Sequence, residues 1–188
     1  MLSDGHISRR SITGNPRFIF NQSGKKEKHA YFELIYNIFK PFCSFNFNPY
    51  IRKWKDNITG KEYSSINFAT MQLPCFIEPY SIWYKDKKKI VPKNIMELLT
   101  PIGLAHWIMG DGSKHNLGLH LSVYAFSKKD VNLLINTLEI KFHLKCSIHN
   151  LSTIGHKPRI YIWKESMPLL KDLVKLYIIP EMKYKINE

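Results

Sequence analysis

Cysteine is scarce, with only Cys43, Cys75 and Cys146 in 188 residues. An odd, widely spaced set cannot form a disulfide framework and points to a reducing compartment. Acidic residues are also few, 15 against 28 Lys and Arg, for a formal charge of +13. A globular chain this basic is matched to a polyanion, and nucleic acid leads. No run approaches the ~18 apolar residues of a membrane span. The N-terminus is polar within four residues, which excludes a secretory signal. No basic amphipathic segment stands apart as a membrane-surface helix. Among the cations arginine is rare, five against 23 lysines, and Ile, Asn, Phe and Tyr are plentiful. These residues share A/T-rich codons, which fits an organellar genome. Apolar residues make up 44%, enough for a substantial core.

What is present reads twice. LAHWIMGDG (104–112) is an apolar helix that ends on Asp111, and LSDG (2–5) is the same ending with most of its helix missing. After Asp4-Gly5, residues 6–12 and 17–22 alternate around the turn residues TGNP and predict a hairpin. Residues 25–40 place Tyr31, Leu34, Ile35 and Ile38 at helical spacing. Stretches 44–55 and 61–70 predict a second hairpin, followed by a short helix over 74–84 and the lysine run 85–89. After Asp111-Gly112 the order recurs. A strand is predicted over 116–126. A helix follows, opened by the capping box Ser127–Asp130 and carrying Val131, Leu134, Ile135 and Leu138. Strands 144–150 and 158–164, a helix capped by Ser166, and the basic tail 182–185 close the second half. Thr100 and Pro101 suit the N-cap and first turn of the apolar helix. The joint falls near residues 91–100, which divides the chain into repeats 1–92 and 93–188.

Two helix tips brought together would set Asp4 beside Asp111. Like charges at that distance are unfavourable alone and become stable around divalent cations. Mg²⁺ takes one or two protein carboxylates and completes its shell with water and phosphate. Paired ions stabilise both the attacking and the leaving oxygen of a phosphodiester. Ordinary Asp-Gly turn chemistry is the competing explanation of both aspartates.

At these residues the chain resembles the LAGLIDADG homing endonucleases. The likeness extends through FKPFCSF (39–45), residues 88–114, LKCSIH (144–149) and residues 164–185. The resemblance implies an α+β fold of two tandem αββαββα repeats related by a pseudo-twofold, with antiparallel sheets forming a DNA-binding saddle. It implies a monomer that makes site-specific double-strand breaks with Mg²⁺ or Mn²⁺ at an intron insertion site in mitochondrial DNA, the plastid being the other organelle. Asp4 and Asp111, with the preceding Ser3 and Gly110, are the implied metal-binding positions. A basic residue after the last helix of each half is implied to act on the scissile phosphate. Lys89 fills that place in half one, and Lys183 or Lys185 in half two. The sequence departs from the family in its nearly absent first helix, which leaves an inactive truncated remnant as one alternative. The other alternative is a maturase, a splicing cofactor that binds the host intron RNA.

Alternating polar residues on the strands are candidates for reading a major groove about 12 Å wide. They are His6, Ser8, Arg10, Arg17, Asn21, His120, Ser122 and Tyr124. Arg10 or Arg17 suits guanine and Asn21 suits adenine; a one-residue slip would exchange the faces. Lys53, Lys55, Lys61 and Arg159 are expected on phosphates, which position without specifying sequence. His143, Cys146 and His149, with His156 beyond, have spacings of three. In a strand such residues alternate faces, so zinc is not expected. The aromatics Phe18, Phe20, Tyr31, Phe39, Phe68, Trp107, Phe142 and Tyr161 are expected in the core.

Overall fold

The structure, a computed structural model, describes residues 1–151 and 157–187. His156 lies outside the described residues. The chain separates into two compact units, one of Met1 with Ser3–Ile82 and one of Leu2 with Trp83–Glu188.

The first unit runs β1 (Gly5–Ser8), β2 (Arg17–Ser23), α1 (Lys26–Phe39), β3 (Ile51–Lys55), β4 (Glu62–Ala69) and α2 (Ile77–Trp83, whose last residue passes into the second unit). Its antiparallel sheet has the order β1-β2-β4-β3. Strict alternation on β2 sends Phe18, Phe20 and Gln22 inward. Ile66 and Phe68 of β4 join them. Helix α1 covers this face with Tyr31, Phe32, Ile35 and Tyr36. Phe68 is fully buried among Phe18, Phe20, Phe32, Tyr36 and Phe39, with ring centroids 5.4–6.2 Å apart. The buried stripe is therefore turned from the expected one, and Ile38 is 52% exposed. Two apolar stripes compete along α1, and the one carrying Phe32 and Tyr36 buries more aromatic surface.

The second unit runs β5 (Tyr84–Lys85), β6 (Lys88–Lys89), α3 (Ile95–Leu98), α4 (Pro101–Asp111), β7 (Gly112–His115), β8 (Gly118–Ser122), α5 (Lys128–Phe142), β9 (Cys146–Leu151), β10 (Lys157–Ile162) and α6 (Met167–Val174). A 3-10 segment, Pro180–Ile186, follows. Its main sheet has the order β7-β8-β10-β9, the same first-second-fourth-third arrangement as the first unit. From α4 onward this unit is αββαββα, and the first unit is the same without the leading helix.

The strand expected over 116–126 is shorter, Gly118–Ser122, and is the second strand of a hairpin that begins at Gly112. Asn116, in the left-handed region at φ 51°, turns β7 back onto β8. Gly118 is required there, because a Cβ would lie 2.4 Å from the Ile162 carbonyl oxygen. The capping box forms, with Ser127 Oγ accepting from Asp130 N–H at 3.2 Å and the Asp130 carboxylate accepting from Ser127 N–H at 3.3 Å. Ser166 does not cap α6 through its side chain. Its Oγ accepts instead from Lys145 N–H at 2.8 Å. Phe39 is half-buried, stacked on Phe18 at 4.1 Å. Tyr161 is not in the core, because strand parity places it on the polar face of the sheet. Among the described residues no helix is long and apolar enough to cross a membrane.

Candidate active site and nucleic-acid interface

Helix α4 is almost wholly apolar, and its centre is buried: Leu104, Ala105, Trp107, Ile108 and Met109 are each no more than 1% exposed. Thr100 Oγ1 starts it by accepting from Gly103 N–H at 3.2 Å. Asp111 is its last residue and is half-buried. Gly112 folds the chain away so tightly that a Cβ there would sit 2.5 Å from the Ile108 carbonyl oxygen. The glycine of this ending is thus a steric requirement of the turn.

The carbonyls of the last helical turn need donors, and a lysine supplies them. The segment Pro180–Ile186 inserts Met182, Lys185 and Ile186 against the second unit, and Lys185 is only 3% exposed. Its Nζ donates to the carbonyl oxygens of Ile108 at 3.1 Å, Met109 at 2.6 Å and Gly110 at 3.4 Å. A cation at a helix C-terminus is favoured by the helix dipole. Of the two lysines open from sequence, Lys185 reaches the Asp111 tip. Lys183, on the same segment, is half-buried.

In the first unit Ser3 and Asp4 are half-buried ahead of β1. Gln22 Nε2 donates to Asp4 Oδ2 at 2.9 Å, and Gln22 Oε1 accepts from Ser23 N–H at 3.2 Å. Gln22 is 7% exposed. Sequence reading missed it, although its parity with Phe18 and Phe20 marks it as a polar group on an apolar face. The registers Gly5↔Phe20 and Gly112↔Leu121 match the two units strand for strand. Two residues further along, Gln22 in one unit corresponds to buried Val123 in the other. The two aspartates therefore stand in unlike surroundings.

Lys89 is half-buried on the β5–β6 ribbon, which turns through Asp86 and Lys87 at φ 50° and 62°. Both central residues at positive φ make the tight turn matched to strand twist. Lys89 groups with the second unit.

Strand pairing sorts the groove candidates. On the first sheet the pairs His6↔Ile19, Ser8↔Arg17, Asn21↔Asn67 and Arg52↔Ser65 share the face away from the core. So does Trp54↔Tyr63, whose rings stack at 5.9 Å. Lys53 and Lys55 pair with Ser64 and Glu62 on the opposite parity. Arg10 is exposed beyond the end of β1, and Lys61 is exposed at the start of β4. Arg9 serves the intervening loop, donating to the carbonyls of Gly14 at 2.9 Å and of Ile12. On the second sheet His120, Ser122, Arg159 and Tyr161 share the polar face. Arg159 Nε donates to Tyr124 Oη at 2.5 Å. His120 is only 5% exposed and lies beneath neighbouring rings. Burial, with the charges of His115, His149 and Arg159, pulls its pKa down to about 4.

Among the described residues no three His, Cys, Asp or Glu side chains gather as a protein-only metal cage. Asp4 and Asp111 are single carboxylates at element ends. That oxygen donor set fits Mg²⁺ or Mn²⁺, whose remaining ligands are waters and phosphate oxygens.

The sequence matches the LAGLIDADG DNA endonuclease profile over residues 1–170. The chain belongs to this family. Over its whole length it is 37% identical to the cytochrome b mRNA maturase bI2 of Saccharomyces cerevisiae, of which it spans 45%. It is 38% identical over 158 residues to the intron-encoded endonuclease ai4 of Dictyostelium discoideum, covering 82% of this chain and 99% of that protein. Among solved structures it is similar to the homing endonuclease I-WcaI bound to its DNA recognition sequence, with a TM-score of 0.86 and 30% identity over 98% of this chain and 81% of that one. The α+β LAGLIDADG fold expected from the motif is the fold found.

Proposed function

We propose that this LAGLIDADG protein is a site-specific homing endonuclease that hydrolyses both strands of a duplex DNA target with Mg²⁺ or Mn²⁺. The observation that carries the reading is Asp111 at the tip of buried α4, with Lys185 donating to the carbonyls that precede it. Such a carboxylate is rigidly aimed, and rigid aim is what phosphoryl-transfer chemistry requires. Asp4 with the backbone of Ser3 in one unit, and Asp111 with the backbone of Gly110 in the other, would each hold a divalent ion, and such ions would supply Lewis-acid stabilisation of the attacking and leaving oxygens.

The chain's own residues do the rest. Gln22 fixes the orientation of the Asp4 carboxylate. Lys185 holds the Asp111 turn and places positive charge beside it; Lys89 is the corresponding cation of the first repeat. Negative charge grows on the phosphorus oxygens during hydrolysis, and preorganised cations stabilise it. The sheet faces carrying His6, Ser8, Arg17 and Asn21 in one repeat, and Ser122, Tyr124 and Arg159 in the other, read the groove. The exposed lysines hold phosphates. The protein acts as a monomer, its two repeats reading an asymmetric target.

The second reading is a maturase that binds intron RNA, favoured by the 37% identity to a cytochrome b mRNA maturase. That relative, together with the lysine-rich composition, supports a mitochondrial home. The test is incubation of the chain with Mg²⁺ and a plasmid carrying the intronless host junction, with Asp111→Asn as control. One double-strand break that vanishes in the control establishes the nuclease. Absence of cleavage with tight binding of intron RNA establishes the maturase. Absence of both identifies an inactive remnant.

A further inference from the structure

Each strand of the second sheet places one ring in a single layer on the polar face: His115 from β7, His120 from β8, Tyr161 from β10 and His149 from β9. His115 stacks on His120 with centroids 4.1 Å apart, and Tyr161 stacks on His149 at 4.5 Å. His120 Nε2 and His149 Nδ1 lie 3.0 Å apart and share one hydrogen. His120 Nδ1 is buried without a hydrogen-bond partner.

These contacts select a tautomer. If His149 donated the shared hydrogen, neutral His120 would carry its N–H on the buried Nδ1, a donor with nothing to receive it. If His120 Nε2–H donates, Nδ1 keeps only an unpaired lone pair. Orphaned buried N–H groups are the rarer and costlier case, so His120 is the donor. His149 must then accept at Nδ1 and carry its own hydrogen on Nε2, the far nitrogen of a half-exposed ring. Stacking on Tyr161 fixes the plane of that ring. Arg159, the cross-strand partner of His149, is drawn off toward Tyr124.

We propose that His149 is a specificity-determining residue whose Nε2–H reads a hydrogen-bond acceptor on a base edge in the major groove, and that His120 is the positioning residue that sets its tautomer. Guanine offers two acceptors at that edge, whereas cytosine offers a donor. The inference rests on the duplex-DNA reading above. It gives the second repeat a reader fixed before the target arrives, which limits the ordering cost of binding.

The test is selection of bound duplexes from a library with a randomised 30-base-pair core, about three helical turns long, in Ca²⁺, followed by sequencing. It uses the full chain, His149→Ala, His149→Gln and His120→Phe. The parent protein is expected to enrich a motif with cytosine disfavoured at one position. His149→Ala should relax that position by about five- to tenfold and leave the rest of the motif intact. His149→Gln, which keeps an N–H donor, should restore part of it. Nitrogen-15 NMR of the parent protein should show His149 protonated at Nε2. Conversion of that ring to a tautomer mixture in His120→Phe separates positioning from mere packing. An unchanged motif in His149→Ala, or a His149 hydrogen on Nδ1, overturns the proposal. A parent protein that enriches no motif refutes the DNA-reading role itself. If His120→Phe fails to fold, the parent spectrum and His149→Ala still decide.

Discussion

Replacing Lys185 by methionine keeps the stem of the side chain as far as Cε and removes the terminal ammonium. Lys185 is 3% exposed, and its ammonium donates to three carbonyls of the last α4 turn. Hydrogen bonds from a charged donor contribute about 1.5–3 kcal/mol. Against that loss stands relief, since methionine carries no ammonium to be stripped of water. The carbonyls cannot follow it, because Ile108 and Met109 are fully buried. Their unmet demand outweighs the relief, and the net cost is about 1–3 kcal/mol. In a domain of this size each kcal/mol moves the melting temperature by about 2–4 °C. The larger effect falls on cleavage, where loss of a preorganised charge is expected to slow turnover by about 10²–10³-fold. Lys183→Met should leave both quantities close to the parent. Urea unfolding and single-turnover cleavage of the target plasmid measure the two effects separately. Parent-like cleavage by Lys185→Met, or a collapse of cleavage in Lys183→Met instead, would refute the reasoning.

Gln22→Ala removes the amide that donates to Asp4 and leaves the Lys185 clasp before Asp111 in place. Nicked plasmid should accumulate ahead of linear product, read on an agarose time course, with one strand slowed by about 10-fold or more. Gly118→Ala puts a methyl against the Ile162 carbonyl and the Tyr161 ring and should cost about 1–3 kcal/mol in urea unfolding. Ser127→Ala deletes the capping box of α5, and a loss of about 1 kcal/mol is expected by the same measurement. The His120 pKa is lowered on folding to about 4 from an ordinary 6.5. Its neutral form therefore supports stability fully above about pH 6.5, and that support is lost as pH falls through about 4. His120→Phe should flatten the acid side of the stability profile, followed by circular dichroism; an unchanged slope would mean that another group controls it.

Much of this was legible in the residues because local and global preferences agree. Thr100-Pro101 and Ser127–Asp130 mark helix starts that tertiary contacts leave alone. The apolar-small-Asp-Gly ending recurs, and a Cβ is excluded at both glycines, by the Phe18 ring at Gly5 and by the Ile108 carbonyl at Gly112. The stripe on α1 was misphased because Leu34 and Ile38 satisfy helical spacing as well as Phe32 and Tyr36 do. Only the aromatic cluster around Phe68 chooses between them. The choice between Lys183 and Lys185 looks arbitrary within a basic tail. Which of them is buried was nonetheless encoded, since Met182, Lys185 and Ile186 have the i, i+3, i+4 spacing of a buried face. Gln22 was readable by parity with Phe18 and Phe20. The ring layer around His120 was not, because it depends on the register of four strands drawn from distant parts of the chain.

The clasp between Lys185 and α4 also sets an order of events during synthesis. Its partners are 75 to 77 positions apart. At about 5–20 residues per second, the Asp111 turn emerges several seconds before the residue that secures it. The first repeat and the Asp111 turn are both made while that turn still lacks its cation. Under the proposed reading cutting competence arrives last, only when the downstream segment has been made and packed. In the proposed endonuclease, that delay separates the capacity to bind DNA from the capacity to cut it.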